Sequence, residues 1–312
     1  MSAAPLVAFA VPVYNGAEYL EEALDGLRAQ TEPRWVAVVT DNASTDATAE
    51  IVRRAAARDG RIRYVRNDAN LGANGNFNRS MALAVGTGAP FVKWAAHDDR
   101  PHPGYLAACL GALAARPDAV GAHTAIRLVD GDGQPYPHDA QAGGFRDGDD
   151  VWRWSRAWAR QLDGILGRRL LRFMRGKHGE WMIYGLFRSD AVAASRPFAM
   201  PGVEDALCFE LLVRGPLLAL DEALFDHRLH AGSARHLSRR DYIEYETGVR
   251  PDGLLLPSAG RAVDFAQAIR RVPLSRSDRA RAWGALARFA LDPRRLRNAV
   301  VPGPDNYFGI GG

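Results

Sequence analysis

The feature that most constrains this chain is the alternation of short apolar runs with amphipathic segments from Leu6 to Val129. Leu6–Val13 is a continuous apolar run, as a strand covered on both faces should be. Ala17–Gln30 then places Leu20, Ala23, Leu24 and Leu27 on one helical face. The pattern repeats. Trp35–Thr40 reads as a strand, and a helix runs from Ser44 or Thr45, either serving as N-cap, to Arg58. Arg61–Arg66, Pro90–Ala96 and Val120–Val129 read as further strands, with helices over Asn74–Ala84 and Gly104–Ala115 between them. Strands joined by helical crossovers imply a mostly parallel, Rossmann-like α/β sheet flanked by helices.

Composition narrows the field. The chain has 312 residues, 47% hydrophobic and 24% charged, which suits a large buried core and excludes disorder. Two cysteines, Cys109 and Cys208, cannot form a disulfide scaffold and suggest a reducing, cytoplasmic setting. The N-terminal apolar run breaks at Pro12 and Asn15 and lacks a basic leader, so it reads as a first strand rather than a signal peptide. No apolar stretch approaches the roughly 18 residues of a spanning helix.

The net charge of +4 is unevenly distributed. Residues 1–150 carry −5 and residues 179–260 carry −4, whereas 151–178 carry +7 and 261–312 carry +6. Nearly all the positive charge is arginine, since the only lysines are Lys93 and Lys177. Two basic blocks therefore sit on an acidic body. In the second, Arg279–Arg297 places Trp283, Leu286, Phe289 and Ala290 near one face. That pattern suits an interfacial helix beside anionic lipid, and equally a helix packed on the body with a solvated basic face. No nucleic-acid-binding module is recognisable.

Each of the first four strands ends in a polar cluster: Tyr14–Asn15–Gly16, then Asp41 to Asp46, then Asn67 to Gly72, then His97–Asp98–Asp99. Such residues are also ordinary turn formers. Parallel strands, however, put all four clusters at one carboxyl edge, where open α/β sheets bind ligands. Adjacent carboxylates repel unless a cation or donor relieves them. A hard divalent cation completed by substrate phosphates meets that need.

The blocks VPVYNGAEYLEEALDGLRAQT, DNASTDAT, NLGANGNFNRSMALAVG and HDD, followed by GVEDALCFELLVRG and HRLHAGS, resemble those of family-2 glycosyltransferases with the GT-A fold. The resemblance spans residues 5–235 and leaves 236–312 uncovered. It implies a catalytic domain over 1–235, with a nucleotide-binding half (1–130) and an acceptor-binding half (131–235), and a helical extension with an irregular tail over 236–312. It also implies a reaction: inverting transfer of a sugar from a nucleotide-diphosphate donor, UDP- or dTDP-type first, to a glycan or glycolipid hydroxyl.

By that similarity Pro12, Tyr14 and Asp41 frame the nucleotide base, and Asn70, Gly72 and Asn78 shape the wall beside it. Asp98 lies by the ribose and diphosphate. Asp99 and His230 hold a divalent cation, Mn²⁺ or Mg²⁺, and Asp205 is the general base. Glu204 and Trp181 belong to the acceptor side, with His178 and Glu180 as weaker candidates there. Two positions depart from the family pattern: Ala96 replaces an aspartate, and Phe77 stands where an arginine often does. The first keeps a second reading open, a nucleotide-sugar-binding protein that has lost catalysis. A nucleotidyltransferase is less well matched, because VPVYNGAEY lacks a glycine-rich phosphate loop. The family's habit suggests surface-glycan assembly in the cytoplasm, with peripheral contact to an anionic membrane.

Overall fold

Strand β1 (Val7–Val13) is buried along its whole length, and its residues divide by parity between the two faces of the sheet. Val7, Phe9, Val11 and Val13 enter one core and the small Ala8 and Ala10 enter the other. The computed structural model describes residues 4, 6–135, 164–175, 182–198, 204–230, 241, 244 and 257–292.

The described elements follow in order. After β1 come α1 (Leu20–Arg28), β2 (Trp35–Asp41), α2 (Thr48–Arg58), β3 (Ile62–Arg66), α3 (Gly72–Val85), β4 (Phe91–Trp94) and β5 (Arg100–Pro101). Next are α4 (Tyr105–Ala115), β6 (Gly121–Val129), α5 (Leu166–Arg175), β7 (Leu186–Arg188), α6 (Ser189–Ala193), α7 (Glu204–Arg214) and β8 (Leu217–Arg228). Helices α8 (Pro257–Arg271) and α9 (Arg276–Ala290) complete the series.

The eight strands form one sheet in the order β3-β2-β1-β4-β7-β6-β8-β5. Strands β3, β2, β1 and β4 pair in parallel, as do β6 and β8. Only β7 and β5 run against their neighbours. The expected mostly parallel α/β sheet is therefore present, and the carboxyl ends of β1, β2, β3, β4, β6 and β8 share one edge.

Helices α1, α2 and α4 cover one face through Leu20, Leu24, Ile51, Val52, Tyr105 and Leu106. Helices α3, α5, α7, α8 and α9 contribute to the core on the other face, where Met81, Phe173, Phe209, Phe265 and Phe289 meet. Helices α8 and α9 thus share a core with α3, α5 and α7. Phe209 and Phe265 stack with centroids 4.3 Å apart.

Some boundaries differ from expectation. Helix α1 starts at Leu20, because the N–H groups of Asn15, Gly16 and Ala17 are engaged by Ser44, Thr48 and Asp46. Helix α2 starts at Thr48, so neither Ser44 nor Thr45 is its N-cap. In sequence Pro257 reads as an interruption of a mainly helical stretch over 236–300, yet it begins a helix, which suits a residue without an N–H. Met182–Arg188 reads as a strand, and the observed strand is confined to Leu186–Arg188. Residues 151–175 read as helical; the part over 151–163 lies outside the described residues, as does the irregular tail.

Candidate active site

The loops after β1 and β2 are laced together. Asn15 adopts φ 48°, a left-handed conformation that asparagine tolerates, and its side-chain oxygen accepts the Thr45 N–H at 2.9 Å. The Asn15 N–H donates to Ser44 Oγ, the Gly16 N–H to Thr48 Oγ1 and the Ala17 N–H to Asp46 Oδ2, at 2.9 to 3.0 Å. Pro12 is buried within β1, whereas Tyr14 projects with 44% of its surface exposed.

Asp41 ends β2 fully buried. Its carboxylate accepts from the Ser44 N–H (2.8 Å), the Tyr64 hydroxyl (2.6 Å) and Arg66 Nη1 (2.5 Å). Burial alone would raise this carboxyl, but these donors outweigh it and hold the group below its ordinary range. The Ser44 contact requires a sharp turn at Ala43, whose φ is 62°. Positive φ at a non-glycine residue is costly and collects at functional sites.

Beside Asp41 lies a knot of asparagines. Asn42 donates to Asn70 Oδ1 (2.8 Å) and to the Gly72 carbonyl (3.2 Å), and its own Oδ1 accepts from the Leu71 N–H and from Asn67. Asn67 also donates to Asn76, which donates to the carbonyls of Thr40 and Val13. Asn70 additionally accepts the Gly72 N–H, with Gly72 at φ 71°. The wall expected from Asn70 and Gly72 is thus fixed to the ends of β1, β2 and β3. Asn42 and Asn67 belong to the polar clusters read from sequence but were given no role, and Asn76 was missed. The signal for Asn76 was the density of asparagines between Asn67 and Asn78. Leu71, 44% exposed, was also missed.

Asn78 is engaged elsewhere. Its amide donates to the Phe198 carbonyl at 2.6 Å and accepts the Phe198 N–H at 2.8 Å, clamping α3 to the segment before α7.

The two adjacent aspartates have different surroundings. Asp99 is buried; it accepts the Arg228 N–H at 3.0 Å and faces His227 Nδ1 at 3.0 Å. Asp98 is 19% exposed and faces His230 Nε2 at 3.1 Å. Burial would raise the Asp98 carboxyl, but the positive potential of His97, the bond to His230 and the charge of His227 bring it down to about 2. His97 packs on the β1–α1 loop so closely that a Cβ on Gly16 would lie 2.5 Å from its ring. Only glycine fits there.

Arg228, at the end of β8, braces this corner and was also missed. Its guanidinium donates to the carbonyls of Asp98, Asp130 and Gly131 and to Glu22 Oε2, and it lies 4.8 Å from the Tyr19 ring centroid. Tyr19 in turn packs against His230. This one side chain joins β8 to the loop after β4, the turn after β6 and the start of α1, a non-local arrangement without a sequence signature.

Asp205 lies in the first turn of α7, which leads into β8 through Gly215 and Pro216. A helix that returns to start a strand carries its own N-terminus toward the edge where that strand ends. Asp205 Oδ2 is 2.5 Å from Arg261 Nη2 of α8. The same helix face presents Asp264 and Gln267 to Arg196, at 3.0 and 2.9 Å. Glu204 precedes Asp205 on the helix. Trp181, His178 and Glu180 lie outside the described residues.

Among the described residues no cluster of three or more His, Cys, Asp or Glu side chains is arranged to hold a metal ion. Asp98 and His230 supply one carboxylate and one imidazole. That donor set suits a divalent cation whose remaining ligands are diphosphate oxygens and water. The remaining candidates are structural. Burial pushes the Cys109 thiol up to about 12 and raises the Cys208 thiol as well, so both are inert core residues. Asp130 caps a hairpin turn, accepting from the Asp132 and Gln134 N–H groups.

A profile of glycosyl transferase family 2 matches residues 8–177, more than half of the chain. TuaG of Bacillus subtilis, a glycosyltransferase named for teichuronic acid biosynthesis, is 32% identical over 94 residues, covering 29% of this chain and 37% of that protein. The abequosyltransferase RfbV of Salmonella typhimurium is 40% identical over 86 residues, 26% of this chain and 25% of its own length. The chain thus matches well under half of each of these relatives. Among solved structures, residues 1–349 of S. aureus TarS in complex with UDP-GlcNAc superpose with a TM-score of 0.60 at 16% identity, covering 95% of this chain and 76% of that one. The mannosyltransferase PcManGT of Pyrobaculum calidifontis, with GDP-Man and Mn²⁺, gives 0.57 at 19% identity, covering 96% and 74%. These likenesses establish the GT-A fold.

Proposed function

Because the chain belongs to glycosyl transferase family 2, we propose that it transfers a sugar with inversion from a nucleoside-diphosphate donor to a hydroxyl of a glycan or glycolipid. The observation that carries this reading is the Asp98–His230 pair at an edge shared with Asp41, Tyr14 and the asparagine knot. Complexes of the TarS and PcManGT relatives with UDP-GlcNAc and GDP-Man support a nucleotide-sugar donor. A uracil or thymine base is our first choice. It would lie between the exposed Tyr14 and Leu71, with Pro12 behind Tyr14 and an N–H directed to Asp41. Arg66, 40% exposed, is the Asp41 partner that can give way. Asn70 and Gly72 would line the nucleotide, while Asn78 would act indirectly, through Phe198.

For the metal, the two aspartates are best exchanged relative to the sequence expectation. Asp98 and His230 would hold Mn²⁺ or Mg²⁺, while Asp99 orients His227 and the end of β8. The cation would neutralise charge on the departing diphosphate. Asp205 takes the proton of the acceptor hydroxyl as that oxygen forms its bond to the anomeric carbon. The bond from that carbon to the diphosphate breaks, and the diphosphate leaves with the electron pair. Glu204 would contribute to the acceptor side.

A second reading, donor binding without turnover, is favoured by one observation: Ala96 stands where an acidic residue is expected. Thermal unfolding with UDP-, dTDP- and GDP-sugars, with and without Mn²⁺, tests the first reading. At a hundredfold excess over Kd a true donor adds about 2.7 kcal/mol. No shift with any nucleotide sugar would overturn donor binding. A shift without release of nucleoside diphosphate would select the second reading. No helix among the described residues is long and apolar enough to cross a membrane. We place the chain in the cytoplasm, in peripheral contact with an anionic bilayer.

A further inference from the structure

The two basic blocks lie more than 80 residues apart in the chain, yet α5 from the first packs directly on α9 from the second. A Cβ on Gly167 would lie 3.3 Å from the Arg281 carbonyl, so the backbones meet closely at one end. At the other end Arg175 Nη2 lies 3.8 Å from Asp292 Oδ2. These two contacts make the helices parallel, with Gly167 level with Arg281 and Arg175 level with Asp292.

Each helix buries an apolar stripe: Leu166, Leu170, Phe173 and Met174 from α5, and Ala282, Ala285, Leu286 and Phe289 from α9. Each also exposes a line of residues at the same spacing. On α5 and its approach it is Ile165, Arg168, Arg172 and Arg175; on α9 and its exit it is Arg281, Gly284, Arg288 and Leu291. On an α-helix such positions form one line. Given the register, Arg168 and Arg175 flank the same seam as Arg281 and Arg288. Asp278 and Asp292 offset part of this charge, at 2.8 Å from Arg281 and 3.8 Å from Arg175. Arg169 is not part of the face; it points inward to the Leu212 carbonyl.

Like charges facing each other across a seam are unfavourable unless an anion is present. Two of the most exposed large aliphatic side chains among the described residues, Ile165 at 62% and Leu291 at 70%, stand at opposite ends of this arginine face. With about 1.5 Å of rise per residue, they are separated by roughly the 15 Å length of α5. Arginines with aliphatic tips are what an anionic bilayer interface takes up; a soluble anionic glycan needs only the arginines.

We propose that the outer seam of α5 and α9 docks this chain on an anionic phospholipid surface, with Arg168, Arg172, Arg175, Arg281 and Arg288 at the headgroups and Ile165 and Leu291 dipping below them. This gives a surface to the peripheral contact proposed above and rests on that reading. It does not depend on sugar transfer, so it can fail or stand separately.

The test is co-sedimentation of the full chain with phosphatidylcholine vesicles, with and without phosphatidylglycerol. Binding should require the anionic lipid and weaken as salt rises. Replacing Arg172→Gln together with Arg288→Gln should lower partitioning about thirtyfold, at about 1 kcal/mol per arginine. Ile165→Ser with Leu291→Ser should lower it as well. Both pairs should keep the unsubstituted unfolding midpoint, as exposed positions should. Equal weak binding to both vesicle types, or unchanged binding by the arginine pair, would overturn the proposal. So would tight binding of soluble dextran sulfate with vesicle binding indifferent to the aliphatic pair, which would assign the face to a polymer.

Discussion

The proposed donor edge and the proposed acceptor side of this molecule are fastened differently. At the donor edge, around the Asp41–Arg66 pair, neutral side-chain amides bond to one another and to backbone groups within residues 13–78: Asn42, Asn67 and Asn76 tie three strand ends to α3. On the acceptor side, charged pairs join segments distant in sequence, Asp205 to Arg261 and Arg196 to Asp264. The first kind of link is directional and indifferent to salt. The second is screened where solvent reaches it. The edge proposed to hold the nucleotide is thus tied by directional bonds, and the side proposed to admit an acceptor is built on screenable charge pairs.

The strongest way to break this contrast is Asp98→Asn. Transfer should fall about a thousandfold, because charge on the departing diphosphate loses its stabiliser, and Mn²⁺-dependent thermal stabilisation by donor should vanish with it. Asp205→Asn should fall about a hundredfold in turnover while donor-induced stabilisation persists; loss of donor binding as well would refute a separate acceptor side. Asn42→Ala should cost about 2 kcal/mol of stability, since it strands several buried partners, and the loss should be the same at low and high salt in denaturant titrations. Arg261→Gln should lower turnover about tenfold, or about 1.4 kcal/mol, without moving donor affinity. Guanidinium-independent turnover would reduce that ion pair to packing.

The smallest effect concerns acid. Asp41 is held below its ordinary value near 3.8. Its contribution is therefore fully present above that value and is lost as pH falls below it. Asp41→Asn should flatten the acid limb of the unfolding midpoint. Lys93 gives a slope of the same sign in a higher pH window. Burial lowers its ammonium to about 7, so stability should rise from about pH 7 toward its unfolded value near 10.5.

Legibility from sequence followed the same division. Parity and periodicity gave β1 to β4, β6 and most helices, because β1 and β2 read directly as buried runs. The clusters after β1 to β4 do converge, since parallel pairing places them on one edge. Strand β5 was invisible: two residues, Arg100 and Pro101, are a strand only through β8. Helix starts were misjudged where side chains from another loop, Ser44, Thr48 and Asp46, captured the N–H groups. Arg228 and Arg261 were missed for the same reason. An arginine's partners are fixed by the assembled fold, not by its neighbours in the chain.

Strand β7 deserves one last consequence. It lies between β4 and β6, yet it is registered only through Phe187 and Arg188 on one side and Leu186 and Phe187 on the other. By contrast, β1 and β2 pair along their whole length, and β6 and β8 pair from Gly121 to Val129. The sheet is two long ladders joined by a short rung. Amide hydrogen exchange should therefore resolve two cooperative blocks, with protection lost first at Leu186–Arg188. Side chains reinforce that rung: Arg188 reaches the carbonyls of Ala119 and Leu113, and Lys93 and Tyr105 both reach that of Tyr184. Truncating any of them should speed exchange along the boundary while leaving each ladder's own protection unchanged.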